Sequence, residues 1–281
     1  MALLYKPGKK IIEETLLTLK ERGNQVAQDA RFNYEAPDGL RREVAFRDED
    51  FLNHLSATQD ECMVDSILEM LKKRKLVPTD AFYRKDAYDR LVKLTREDWF
   101  FPWTTFTRAM RRLFYMLSSV KQAKTVVGIG IFYGYTLAYS AAPSCGRDKA
   151  YSADKVYGID INEKAIEGAK KNFSTLEGAE HVKLVAEDGR SFAERFDGTI
   201  DFLHLDADDG KKGKGLYLYL LRKLYPRLSA GAWVLAHDVT EPVFSKRGVF
   251  KEYLAYVRNA ANFSESILFD IDNYGLELSI K

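Results

Sequence analysis

The chain has 281 residues, 46% hydrophobic and 30% charged, with 7 Pro and 18 Gly; this is ordinary globular composition and excludes a disordered chain. The net charge is +2, so no global field exists to attract nucleic acid or an anionic membrane. Two cysteines, Cys62 and Cys145, form no CxxC pair, which excludes a disulfide scaffold or a cysteine-based zinc site and fits a reducing compartment.

In chain order, the opening run MALLYKPGKK is too short in apolar residues for a signal peptide, and no window approaches the ~20 apolar residues of a membrane span. A cytoplasmic protein is expected. Residues 1–122 read as a helical region. Ile12, Leu16 and Leu19 share one helix face, and Thr58 with Glu61 has capping-box spacing ahead of Met63, Ile67, Met70 and Leu71. Thr105 is placed to cap a helix carrying Phe106, Met110, Leu113 and Leu117. The stretch 22–49 is polar and aperiodic and reads as a loop or an arm ordered on binding.

From residue 123 to 281 the pattern changes to β/α alternation. Runs at 125–131, 155–160, 181–187, 199–206 and 231–238 are strand-like, with helical stretches at 162–173 and 215–228 among them. Such alternation predicts a Rossmann-like, doubly wound, mostly parallel sheet. Residues 266–272 and 275–281 read as an antiparallel hairpin around Asn273 and Tyr274 that closes the sheet.

The segment VVGIGIFYGYT puts Gly128, Gly130 and Gly134 between a strand and a helical run. Glycines there allow a tight turn and close approach of backbone N–H groups to a ligand, though tight βα packing alone also calls for them. The spacing G-x-G-x-x-x-G is one residue longer than the dinucleotide fingerprint. Asp160 ends the second strand of this region, where a carboxylate can accept both ribose hydroxyls. Glu187-Asp188-Gly189 ends the third, Asp206 and Asp208 follow the fourth, and His237-Asp238 follows the fifth. Acids after successive strands converge on the carboxyl edge of one sheet, where ligands of such folds sit.

Residues from about 105 to 281 resemble the class I S-adenosylmethionine (AdoMet)-dependent methyltransferases, and among them the small-molecule O-methyltransferases of the catechol and caffeoyl-CoA type. The resemblance rests on IGIFYGYT, YGIDIN, AEDG, IDFLHLDAD and GAWVLAHDV in that order. It implies a seven-stranded sheet with a reversed C-terminal strand. It also implies a cofactor site of Gly128, Gly130, Phe132, Gly134, Thr136, Asp160, Ile161, Asp188, Gly189 and Asp206. Within it the glycine loop and Thr136 hold the methionine end, Asp160 the ribose, and Asp188 lies near the adenine. The expected partner is a small-molecule substrate, with no nucleic acid or membrane; a homodimer is compatible. Two features depart from the family. Gly128 stands where relatives carry Glu, and the family's catalytic lysine position is Asp209, with Lys211 and Lys212 just beyond.

Asp206, His237 and Asp238 are the candidate catalytic residues. A hard divalent cation such as Mg²⁺ could bind their oxygens and acidify a substrate hydroxyl; metal-dependent relatives use the acid matching Asp206 and a pair, usually Asp-Asn, matching His237-Asp238. Alternatively His237, with an ordinary pKa near neutrality, could act as general base without metal. The metal assignment stays open at this stage. His181 and His204 fall in strand runs and are expected to pack, and His54 to be solvated.

Aromatic residues make up 13% of the chain and concentrate in residues 82–115, with 10 rings in 34 positions. DWFFPW groups four of them around a proline and cannot be one regular helix face. The resemblance implies that the segment before the glycine loop lies over the active site, so Trp99, Phe100, Trp103 and their neighbours are expected to cover cofactor and substrate, where cation–π attraction to a sulfonium is worth ~0.5–2 kcal/mol. The leading expectation is O-methylation of a small molecule. The alternative is another AdoMet reaction on the same fold, such as cyclisation releasing methylthioadenosine; a nicotinamide dehydrogenase and a non-catalytic AdoMet-binding protein are weaker options.

Overall fold

The computed structural model describes residues 32–34, 42–45, 57–102, 106–208, 213–241, 244, 247–272 and 274–281. Expectations for Ile12, Leu16, Leu19, His54, Trp103, Thr105, Asp209, Lys211, Lys212 and Asn273 fall outside them. Two short strands come first, β1 (Phe32–Tyr34) and β2 (Arg42–Ala45). They lie inside the stretch expected to be a loop, and the reason is non-local: β2 pairs in parallel with a strand more than 200 residues later.

Three helices follow, α1 (Ala57–Lys73), α2 (Lys85–Glu97) and α3 (Arg108–Lys121). Met63, Ile67, Met70 and Leu71 of α1 are buried, as the spacing predicts, and Met110, Leu113 and Leu117 of α3 are inaccessible. The capping expectations need correction. Helix α1 already begins at Ala57, and Glu61 accepts from Lys85 (2.9 Å) and Arg112 (3.3 Å) rather than closing a capping box. Helix α3 is capped by Thr107, whose Oγ1 accepts from Met110 N–H at 3.3 Å. The cap falls after Phe106 because that ring packs edge-on against Phe114 and His237.

The alternating half forms β3 (Thr125–Ile129), α4 (Tyr135–Ala141), β4 (Lys155–Asp160), α5 (Glu163–Phe173), β5 (Val182–Ala186), α6 (Gly189–Arg195), β6 (Ile200–Leu205), α7 (Tyr217–Leu224), β7 (Leu228–His237), α8 (Lys251–Val257), β8 (Glu265–Asp270) and β9 (Leu276–Ile280). The sheet order is β1-β2-β8-β9-β7-β6-β3-β4-β5. Strands β5, β4, β3, β6 and β7 are parallel, and β9 runs antiparallel between β7 and β8. The seven strands β3–β9 are the expected sheet with its reversed last strand; β1 and β2 extend its edge.

Both faces of the sheet are covered. Val126, Phe202, Trp233 and Leu235 point to the face packed by α1–α3, whereas Val127, Leu203, Val234 and Ala236 point to the face packed by α6–α8. The period of two and burial on both sides explain why these strands read as continuous apolar runs. Strand order reverses at β3, which opens a crevice at the carboxyl ends of β3, β4 and β6.

Candidate active site

A cavity of about 530 Å³ opens at that crevice, lined by the glycine loop (Gly130, Phe132 and Thr136 among its residues), by Asp160, and by Asp206, Asp208, His237 and Asp238. A second cavity of about 320 Å³ shares Gly130, Asp160 and Asp208 and continues to Ile161, Asp188 and Gly189. The two form an elongated trough with Asp160 at its waist.

Gly130 makes this approach feasible. Its φ is 86°, and a Cβ there would stand 2.4 Å from the backbone nitrogen of Ala207, so the loop and the end of β6 can meet only without a side chain. Phe132 follows with a positive φ of 50°, and its N–H donates to Asp160 Oδ2 at 2.7 Å. Asn162 N–H donates to Asp160 Oδ1 at 2.9 Å. Each carboxylate oxygen thus accepts one backbone bond and keeps lone-pair capacity facing the trough. Gly134 serves as the N-cap of α4, and Gly128 lies deeper in β3, where an added Cβ would meet Leu137 and Ile131 rather than either cavity. Asp188 lines the second cavity and also caps α6, accepting from Arg190 N–H at 2.7 Å.

At the other end, strand pairing aligns Leu205 with Ala236, so Asp206 and His237-Asp238 leave adjacent strand tips together. Donor atoms of Asp206, His237 and Asp238 lie within 4.8 Å of one another. Sequence reasoning missed the fourth member, Lys214. It sits in a 3₁₀ turn (Gly213–Leu216), and its ammonium donates to Asp206 Oδ1 (2.6 Å) and the Asp206 carbonyl (2.8 Å) and reaches Asp238 Oδ2 at 2.9 Å. Lysines at 211, 212 and 214 are visible in KKGKG, and nothing in that run marks Lys214 as a member of the cluster.

His237 Nδ1 is 3.1 Å from Asp238 Oδ1 and 3.7 Å from Asp206 Oδ2, close ion pairs without aligned hydrogen bonds. Burial alone would lower the imidazole pKa, but Asp238 and Asp206 outweigh it and raise it to about 9. A ring that keeps its proton at neutral pH cannot take another. Burial would likewise raise Asp206 and lower Lys214; their mutual attraction, with His237 adding to it, holds Asp206 well below the usual carboxylate range and Lys214 above the usual ammonium value. Asp238 moves upward because burial, helped by Asp206, exceeds the pull of His237 and Lys214. Its Oδ1 has no hydrogen-bond partner. His204 is fully buried beneath the site with both ring nitrogens unpartnered, and burial lowers its pKa to about 4.

The aromatic cover differs from the expected one. Trp99 is buried away from the trough: it packs on Phe173 with ring centroids 5.1 Å apart, and its indole N–H donates to Thr175 Oγ1 at 2.9 Å. Phe100 is 65% exposed and rests edge-on against Tyr133. The walls are instead Phe101, stacked on Tyr135 at 4.1 Å, together with Phe106, Phe244 and Tyr274.

The donor set does not suit a divalent metal. One oxygen of each carboxylate, Asp206 Oδ1 and Asp238 Oδ2, is already held by an ammonium, which would stand beside any divalent ion placed between them. The residues do suit AdoMet: a trough that passes Asp160 between the glycine loop and the Asp188 turn, with space left by the side chain Gly130 lacks, matches an elongated nucleoside–amino acid ligand.

Fold and site together define the class I methyltransferase architecture. Residues 127–239, from β3 to β7, match the family model described as a methyltransferase domain, and they carry most of the residues that line the trough. Among solved structures the chain is similar to cofactor-bound Rv0187 from MTB (14% identity, 81% of this chain and 98% of that one, TM-score 0.55). It is also similar to the Podospora anserina methyltransferase PaMTH1 bound to SAH (16% identity, 77% and 94%, TM-score 0.55). At these identities the likeness establishes the fold. No curated protein matches the chain. Among the described residues no helix is long and apolar enough to cross a membrane.

Proposed function

We propose that the chain is an AdoMet-dependent methyltransferase that methylates an oxygen of a small molecule. The observation that carries this reading is one continuous trough with a glycine loop and Asp160 at its waist and a buried charged cluster, Asp206, Lys214, His237 and Asp238, at the end walled by aromatic rings. Gly130, Phe132, Gly134 and Thr136 would hold the methionine end of AdoMet, Asp160 the ribose, and Ile161, Asp188 and Gly189 the adenine side; Gly128 acts by letting β3 pack closely behind the loop. AdoMet supplies an electrophilic methyl group on a sulfonium.

The chain's own residues supply orientation and proton removal. The flat walls of Phe101 and Phe106 orient an acceptor, and Lys214 draws its oxygen toward the cluster. Asp238, which lines the cavity with Oδ2 2.9 Å from Lys214 and Oδ1 3.1 Å from His237 Nδ1, takes the hydroxyl proton. Its raised pKa makes it a stronger base than an ordinary carboxylate. His237 acts as an imidazolium that fixes Asp238 and Asp206. The region before residue 123, whose helices α1–α3 pack on one face of the sheet, serves as the cap of the domain that begins at 123, and a chain with only two cysteines, Cys62 and Cys145, fits a cytoplasmic setting. Mass spectrometry of AdoMet-derived products after incubation with a panel of phenols and catechols tests the reading. S-adenosylhomocysteine formed together with a methylated acceptor is the expected result; methylthioadenosine as the sole product would overturn it.

A further inference from the structure

Lys214 Nζ has three protons to donate, and the structure provides three oxygens for them: Asp206 Oδ1 at 2.6 Å, the Asp206 carbonyl at 2.8 Å and Asp238 Oδ2 at 2.9 Å. The side chain is 9% exposed and Asp238 10%, so this ammonium is part of the packed structure. Tyr217, which begins α7, presents its ring 6.0 Å from Nζ, and its hydroxyl donates to the His237 carbonyl at 3.1 Å. The turn carrying Lys214 is thereby tied to the strand end carrying the cluster.

Donor atoms of Asp206, His237 and Asp238 lie within 4.8 Å of one another, near enough to serve a single ion. A hard divalent ion requires several oxygens at about 2.0–2.6 Å. Whichever carboxylate oxygens it took, it would stand as a doubly charged ion beside the buried ammonium that already holds Asp206 Oδ1 and Asp238 Oδ2, an arrangement burial makes costly.

We infer that Lys214 is the resident cation of the acceptor site: its ammonium bridges Asp206 and Asp238 in place of a divalent metal, and methyl transfer proceeds without one. The inference about turnover rests on the proposed methyl transfer; the inference about the cation stands on the cluster alone. The first consequence is that the native cluster needs no divalent ion, for its own charge balance or for turnover. The second is that removing it should uncover a metal-competent set of donors.

Both consequences are measured on the full-length protein after dialysis against EDTA. Mn²⁺ binding is followed by the electron paramagnetic resonance signal of the free ion, with no AdoMet or acceptor present. Wild type and Lys214→Arg, which keeps the charge, should show no saturable site. Lys214→Ala should bind one Mn²⁺ more tightly by on the order of a hundredfold, and Lys214→Ala combined with Asp206→Asn should lose that site. Circular dichroism verifies that each variant is folded. Stoichiometric Mn²⁺ binding by wild type that Asp206→Asn abolishes would overturn the inference, and so would a folded Lys214→Ala that gains no Mn²⁺ affinity. If Lys214→Ala does not fold, the wild-type and Lys214→Arg titrations decide alone. In the turnover arm, unchanged methyl transfer in EDTA supports a metal-free reaction, and loss restored by Mg²⁺ refutes it. Absence of turnover with every acceptor would count against the proposed methyl transfer, while the Mn²⁺ titrations would still decide the identity of the cation.

Discussion

His237 and His204 are both buried, yet they shift in opposite directions because Asp238, Asp206 and Asp272 act together on His237 whereas one carboxylate acts on His204. His204 has only Asp206 to raise it, against burial, His237 and Lys214, and stays neutral. The folded-state pKa of His237 is raised from 6.5 to about 9, so its stabilisation is fully present below pH 6.5 and disappears as pH rises through 9. That displacement corresponds to roughly 3 kcal/mol lost across the window. Urea unfolding between pH 6 and 10 should show the decline in wild type and a much flatter curve for His237→Gln; parallel curves would mean the ring is not held as an imidazolium. Asp160, Asp206, His237 and Asp238 were legible in the sequence because each follows a strand whose apolar run marks where the carboxyl edge falls. Lys214 was not, because nothing local separates a buried ammonium from its neighbours in KKGKG; the turn at 213–216 must first fold back over two strand tips.

Among elements, helix α3 links the helical region to the site. Thr107 caps it and also donates to Asp272 Oδ2 at 3.0 Å, while Asp272 Oδ1 accepts from the N–H groups of Tyr274 and Gly275. One hydroxyl therefore joins the start of α3 to the turn that carries Tyr274 into the cavity wall. Thr107→Ala should cost about 1–2 kcal/mol, read by urea unfolding, whereas Thr107→Ser should retain most of it; equal stability of all three proteins would show the cap to be idle. The helical spacing in α1 and α3 and the strand runs predicted these elements well, since each signal is local. Trp99 was misread for the opposite reason: the proline in DWFFPW shows that the segment is irregular, but its partners, Phe173 and Thr175, lie more than 70 residues away. The pairing of β2 with β8 was hidden in the same way.

For the molecule as a whole, the sheet is buried on both faces and open to a ligand chiefly along its carboxyl edge, where the glycine loop, Asp160 and the charged cluster meet. The near-zero net charge agrees with a small ligand recognised inside a cavity rather than a polyanion bound on a surface. The order of motifs made this arrangement legible before any coordinates, because strand order in a doubly wound sheet fixes which strand tips become neighbours. The division of labour along the trough did not follow from order alone. It depends on which carboxylates are already paired, and here the acceptor end carries its own cation while Asp160 retains capacity for a ligand. Calorimetric titration of AdoMet into wild type and Asp160→Ala tests the central claim most directly. The account predicts one site per chain in wild type and affinity weakened by about 10- to 100-fold in the variant, the loss expected when a carboxylate hydrogen-bonded to ligand hydroxyls is removed. Absence of AdoMet binding to wild type, or equal affinity in a folded Asp160→Ala, would contradict it.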